Sequence, residues 1–387
     1  MLILKYLFIE RGAKRLGGGS RCNLTIMDIL KEAGNTVYYY DICNDLYQVF
    51  TDKRDIPKFY PLLHFDPADF EDGTEPQKVI DAPDFFKAMH EVLPISERLR
   101  KLCDDADVIF SGTDYLNHTL AVLYPGKFIT YLHCAPVTAP GTADYIKDGL
   151  SGCRRIISNS IHTYLTAKYK VGLDTELVQP PVNPVFYDDS VPFLERKYDI
   201  LFMGRIAEDK LTGWNFREFE GFVQERGYSC NIIGSLWTHI SNKSVDGKEF
   251  KQADTSYKLG EGAGGTTPYV FDTSINIVPN ADFQQIKHYL SQSRIYIHTK
   301  KTEDFGQSIV EAALSGCICF VPDTEFNFLD IPGVIRYKNM DELKLQIMLS
   351  LQPEVVEYWE KNTKPKLKMQ LQKLYDDSKD AVLKWIK

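Results

Sequence analysis

The feature that most restricts this chain is an alternation of short apolar runs with helix-length segments, interrupted once by a proline-rich stretch and then resumed. LILKYLF, TVYYYD, DVIFSG, KFITYLH and RRIISNS stand before the interruption, and YDILFMG, CNIIG, INIV, RIYIHT and CICFVP after it. Strands of this length separated by helices assemble as a parallel sheet, because each crossover helix must cover a sheet face. The spacing predicts helices from Asn23 to Ala33 in the first half, and around Trp214 to Arg226, Asp282 to Ser291 and Gln307 to Ser315 in the second. Prolines 180, 181, 184 and 192 preclude a regular helix between the halves. The expectation is an N-terminal α/β domain over 1–180, a linker over 181–197 and a C-terminal α/β domain over 198–350, with a cleft between the two. Tyr47 to Arg98 and Trp237 to Tyr269 break the alternation and read as insertions.

A length of 387 residues suits two cores rather than one. The formal net charge of -8 argues against a nucleic-acid partner held by overall electrostatics, while leaving room for a local anion site. The eight cysteines include no C-x-x-C pair, so neither a zinc module nor a redox pair is signalled, and reduced thiols in the cytoplasm are expected. The start MLILKYLFIERGAKR reads as a core strand rather than a leader, and no apolar run reaches the ~18 residues of a membrane span. Near the other end, Leu367, Leu371, Leu374, Ala381 or Val382, and Trp385 form a helical stripe opposite lysines over about 366–387. Such a helix closes a domain by packing back on the body, and its lysine face also suits peripheral membrane contact.

The densest chemistry lies in KKTEDFGQSIVEAALSG. Gly306 permits a tight turn, and the N–H groups of Gln307, Ser308 and Ile309 open a helix as a ready anion site beside Phe305. Glu303 falls in the loop at the carboxyl end of a strand, and Glu311 about one and a half turns into the helix. Carboxylates there accept hydrogen bonds from vicinal hydroxyls and stabilise positive charge developing at an anomeric carbon. A loop glutamate and a solvent-facing helix glutamate are the plain alternative. In DILFMGRIAEDK a strand ends at Gly204 and delivers Arg205 and Lys210, two cations able to neutralise a leaving diphosphate in place of a metal. Gly17, Gly18 and Gly19 follow the first strand and allow close backbone approach to a ligand, but lack G-x-G-x-x-G spacing. His133 follows the strand KFITYL. Asp105-Ala106-Asp107 matches a metal-binding D-x-D, yet sits where a helix ends and a buried strand begins, and no metal site is assigned.

These residues resemble the large family of retaining glycosyltransferases often called group 4. The likeness spans nearly the whole chain. It rests on the glutamate pair Glu303 and Glu311, on G-R-x-x-x-x-K at Gly204, Arg205 and Lys210, on Gly18 and Gly19, on His133, and on SNS (Ser158 to Ser160) and PPVNPVF. The resemblance implies an α/β fold of two Rossmann-like domains facing across a cleft, the GT-B arrangement. It also implies transfer of a hexose from a UDP- or GDP-sugar to a glycan, lipid-linked or small hydroxyl-bearing acceptor, with retention and without a required metal or other cofactor. Its donor-binding residues fall on Gly18, Gly19, Gly204, Arg205, Lys210, Phe305 to Ile309 and Glu311, and its catalytic residues on Glu303, His133, Arg205 and Lys210. A non-catalytic nucleotide-sugar-binding subunit supporting a partner transferase is the alternative. An oxidoreductase, for which Asp41 would serve the ribose, lacks the glycine fingerprint.

Overall fold

In the computed structural model the chain divides into two compact units, Met1–Val182 with Leu374–Lys387, and Asn183–Lys373. The residues described are 3–10, 18–41, 46–49, 92, 95–111, 114–133, 142–204, 216–234, 275–279, 281–300, 303–323 and 333–385. Arg205, Lys210, Gly17 and most of the two insertions lie outside them.

The first unit runs β1 (Lys5–Glu10), α1 (Gly18–Glu32), β2 (Thr36–Asp41), β3 (Leu46–Val49), α2 (Glu97–Asp105), β4 (Val108–Ser111), α3 (Asp114–Leu123), β5 (Phe128–Leu132), α4 (Thr142–Leu150), β6 (Arg155–Ser158), α5 (Ile161–Leu165, prolonged by a π-turn Thr166–Val171) and β7 (Glu176–Leu177). Its sheet has the order β3-β2-β1-β4-β5-β6-β7. Every pairing is parallel except the β2–β3 edge. The sheet's buried aromatics explain the tyrosine-rich TVYYYD run. Tyr39 faces the cluster that holds Phe8, Phe110 and Tyr131, while Tyr40 faces the opposite cluster of Leu7, Leu99 and Phe128. Both faces are therefore core, as strands covered by crossover helices require.

Helix α1 starts at Gly18, about a turn and a half before the predicted Asn23. The glycines at 18 and 19 cost helix propensity of up to ~1 kcal/mol each. Burial of Cys22, Leu24, Ile26, Met27, Ile29 and Leu30 against the sheet outweighs that local preference. Asn23 and Asn117, each the first residue of an N-x-T triplet, are buried and belong to the packing.

The second unit runs β8 (Tyr198–Met203), α6 (Phe216–Arg226), β9 (Cys230–Gly234), β10 (Ile275–Pro279), α7 (Phe283–Gln292), β11 (Ser293–Ile297), α8 (Gln307–Leu314), β12 (Ile318–Pro322), β13 (Val334–Tyr337), α9 (Met340–Ser350), α10 (Pro353–Tyr358, prolonged by a π-turn Trp359–Thr363) and the first part of α11 (Lys364–Lys384), whose residues from Leu374 on belong to the first unit. Its sheet order is β10-β9-β8-β11-β12-β13, parallel throughout. Numbered within the unit this is 3-2-1-4-5-6, the doubly wound order that reverses between its first and fourth strands, here β8 and β11.

Between Val178 and Lys197 the chain makes two short 3-10 turns, Pro184–Phe186 and Phe193–Glu195. Arg196 ends this stretch almost wholly buried, 1% exposed. Its guanidinium donates from Nη1 to Ser293 O (2.7 Å), from Nη2 to Ser315 O (2.8 Å) and from Nε to Val191 O (3.2 Å). The linker's end is thereby fastened to the second unit.

Helix α11 spends its apolar stripe inside the protein. Tyr375, Val382 and Trp385 join the first unit's core, with Trp385 6.2 Å from Phe110 ring to ring, while Leu367 is buried in the second unit. Lys364 and Lys368 meet Asp189 at 3.5 and 2.9 Å, and Lys379 meets Glu32 at 3.3 Å. Among the described residues no helix is long and apolar enough to cross a membrane.

Candidate active site

In a doubly wound sheet, ligands gather beyond the carboxyl ends of the strands at the point where the order reverses, because the flanking helices diverge there. In the second unit that point is the end of β8 and β11, where Gly204 and Glu303 follow their strands. Gly204 has φ 149°, a backbone geometry that favours glycine, and its N–H donates to Ile233 O at 3.0 Å. Arg205 and Lys210 come next in the chain and lie outside the described residues.

Gly306 caps α8 in the left-handed region (φ 74°, ψ 49°) and offers no side chain to the helix end. Any L-residue there would be strained, so the turn that aims the helix requires this glycine. The Ile309 N–H is taken by Gly306 O at 2.9 Å. This corrects the expectation of three open donors. The N–H groups of Gln307 and Ser308 are the two left without a backbone acceptor among the described residues, and they form the positive pole of the helix. Phe305, 4% exposed, anchors the turn in the core.

Glu311 is completely buried, as are its helix neighbours Ile309, Val310, Ala312 and Ala313. That removes the solvent-facing reading of this glutamate. A carboxylate in such a place must be compensated by hydrogen bonds or by a ligand. Glu303, by contrast, keeps 22% of its side chain accessible and places Oε2 3.6 Å from His298 Nε2.

His298 was not singled out in the sequence, nor was Tyr296. Their signal was the period of two in RIYIHT, which puts both on one side of β11 and its extension at the strand end that carries Glu303. Tyr296 Oη stands 2.9 Å from Ser308 Oγ, 3.3 Å from His298 Nδ1 and 3.5 Å from Met203 O. Burial raises the Tyr296 phenol far above its usual pKa, so it remains a neutral hydroxyl.

In the first unit, His133 follows β5 with its ring 4.8 Å from that of Tyr131. The residue keeps partial exposure, but its Nε2 atom is buried and has no hydrogen-bond partner among the described residues. Desolvation pushes its pKa down to about 4, so the imidazole is neutral near pH 7. Asn159 Nδ2 donates to His133 O at 2.6 Å and fixes the backbone there. A Cβ added at Gly19 would meet His133 Cγ and Cδ2 at 3.3 Å. The glycine at 19 is therefore a close-approach residue, and Gly18 is the first residue of α1. Gly19→Ala should leave the unfolding free energy unchanged or raise it by ~0.5–1 kcal/mol through helix propensity, while displacing the His133 ring by a few tenths of an ångström. Denaturant unfolding alongside an NMR titration of His133 would check both effects.

The D-x-D carboxylates are engaged elsewhere. Asp105 pairs with Lys5 Nζ at 3.0 Å, and Asp107 accepts from the Lys5 N–H at 2.8 Å, so both secure the start of β1.

No protein-family model matches the chain. Among curated proteins it is similar to a GDP-Man:Man(3)GlcNAc(2)-PP-Dol alpha-1,2-mannosyltransferase of Mus musculus, 23% identical over 176 residues. That alignment takes in 43% of this chain and 33% of the relative, so the chain matches about a third of the relative's length. Among solved structures it is similar to sucrose-phosphate synthase from Thermosynechococcus elongatus, with TM-score 0.62, 12% identity, and 99% of this chain and 97% of that one covered. A glycosyltransferase from Rickettsia africae ESF-5 gives TM-score 0.58 at 13% identity, covering 99% and 100%. Anabaena HepE in complex with UDP and glucose gives 0.56 at 13%, covering 99% and 98%. The chain has the two-unit α/β fold of the GT-B glycosyltransferases.

Proposed function

We propose that the chain is a retaining glycosyltransferase that moves a hexose from a UDP- or GDP-sugar to a hydroxyl-bearing acceptor. The observation that carries this reading is the grouping at the second unit's switch point: an accessible Glu303, a left-handed Gly306 opening α8, and a wholly buried Glu311 in that same helix. The fold it shares with HepE, which was crystallised with UDP and glucose, and its likeness to a GDP-mannose enzyme support a nucleotide-sugar donor.

In this reading the Gln307 and Ser308 N–H groups hold the diphosphate, and Glu311 accepts from the ribose hydroxyls. Glu303 accepts from the sugar hydroxyls and faces the anomeric carbon. Arg205 and Lys210 neutralise the departing diphosphate, which makes a metal unnecessary. The bond from the anomeric carbon to the phosphate oxygen breaks, the acceptor oxygen bonds to that carbon on the same face, and the leaving phosphate takes the acceptor's proton. For His133, beside Gly19, this reading assigns a hydrogen bond to a sugar hydroxyl, which a neutral imidazole suits.

A thermal-shift screen of UDP- and GDP-hexoses on the purified chain tests the donor. A donor held at a hundred times its Kd should add ~2.7 kcal/mol of stability, and NMR of the product should show the donor's anomeric configuration kept. Stabilisation by none of them, or an inverted product, would overturn the assignment.

A further inference from the structure

We infer that His298 is a positioning residue that aligns the Glu303 carboxylate for the sugar, held in place by a chain of side chains running through the buried Tyr296 to Ser308. The inference rests on the glycosyltransferase reading of the site and adds a residue to it.

The backbone of His298 is fixed on two sides. Its N–H donates to Phe320 O on β12 at 2.8 Å, and its carbonyl accepts from the Tyr337 hydroxyl on β13 at 2.8 Å. Its ring is fixed by a third contact, Nδ1 to Tyr296 Oη at 3.3 Å, and Tyr296 is itself tied to Ser308 Oγ in the first turn of α8 at 2.9 Å. The ring therefore cannot pivot without disturbing the helix that opens the anion site. What it presents to Glu303 is Nε2, a buried atom 3.6 Å from Glu303 Oε2.

The proton inventory decides the tautomer. A carboxylate facing Nε2 requires the proton on that nitrogen, so in a neutral ring Nδ1 is an acceptor. The hydroxyl of Tyr296 can donate to it, because either hydroxyl of the Tyr296–Ser308 pair can donate to the other. Each polar atom in the chain then has a partner of the right kind, ending in an N–H aimed at Glu303. The present 3.6 Å exceeds a hydrogen bond, and a shift of roughly half an ångström closes it. Glu303 lies in a loop whose far end is held by Phe305 and Gly306, and His298 faces its carboxylate from the end of β11. A carboxylate held in its reactive orientation raises the rate of the chemical step more than the affinity for the nucleotide.

The test compares full-length His298→Leu, His298→Gln, Glu303→Gln and the double variant His298→Leu/Glu303→Gln with the wild-type chain. Transfer kinetics use the nucleotide sugar the wild type accepts, and binding uses UDP and GDP alone. His298→Leu should lower kcat about 10- to 100-fold, the worth of a hydrogen bond to a charged group, with bare-nucleotide affinity within about twofold. His298→Gln, which keeps a donor near the Nε2 position, should recover most of the loss. The double variant should be no slower than Glu303→Gln, because no carboxylate remains to be aligned. Losses that multiply in the double variant, or nucleotide affinity that falls in step with kcat, would overturn the inference. A wild-type chain that binds nucleotide sugars but transfers none would overturn the transferase reading, and the inference with it, before any variant is made.

Discussion

Glu303→Gln is expected to lower kcat/KM for sugar transfer by about 10²- to 10³-fold while UDP or GDP affinity changes by less than about threefold. The substitution keeps the side chain's shape and removes its charge. Glu303 is partly accessible and its contact with His298 is 3.6 Å, beyond hydrogen-bond distance, so the cost to folding should stay within ~1 kcal/mol. In the proposed reaction the loss falls on the transition state, where positive charge builds at the anomeric carbon that the carboxylate faces. Under the proposed site assignment the nucleotide's phosphates belong with the α8 donors and the two cations, so bare-nucleotide binding should be spared. Glu311 offers the contrast. Completely buried in α8, it is bound up with the helix as well as with any ribose, and Glu311→Gln should change stability and nucleotide affinity together. Steady-state kinetics with nucleotide binding by calorimetry separates the two patterns. A Glu303→Gln enzyme within threefold of wild type would remove Glu303 from the chemistry.

Gly316→Ala should destabilise the second unit by about 3–5 kcal/mol. Gly316 terminates α8 with φ 79°, its N–H bonding Ala313 O and the next N–H, of Cys317, bonding Ala312 O, each at 3.0 Å. This is the paired closure that a left-handed residue makes possible. An alanine in that conformation costs ~1–2 kcal/mol by itself. The larger part comes from packing, since the added methyl would lie 2.5 Å from Arg196 Nη2 and 3.2 Å from Asp189 Cβ. Arg196 cannot step aside without surrendering bonds to Ser293 O and Ser315 O, and a buried guanidinium that loses its acceptors bears the full desolvation cost. Denaturant unfolding measures the loss. Arg196→Met combined with Gly316→Ala should lose less than the sum of the single changes, because the methyl no longer meets a fixed cation. A single-variant loss below ~1 kcal/mol would disprove this packing account.

Local sequence pattern was enough for much of this fold. Apolar runs such as YDILFMG and RIYIHT became β8 and β11, and QSIVEAALSG became α8 with a glycine at each end. These features depend on side-chain period and on the few residues that accept left-handed backbone, both of which act within one or two turns of the chain. The helix that pattern placed least well, α1, began early because its burial outweighed the glycines' propensity.

The sequence by itself determined two parallel α/β units and the spacing of Glu303, Gly306 and Glu311. Only the tertiary structure decided that β11 pairs with β8, with Tyr296 beside Leu201, and that Arg196 anchors the linker. It also decided that Glu311 is buried, that Gly19 lies under His133, and that His298 faces Glu303. The physical reason is range. Alternation and turn chemistry are read from neighbouring residues, whereas strand order and burial are settled by packing between segments whose positions in the chain carry no local mark of one another.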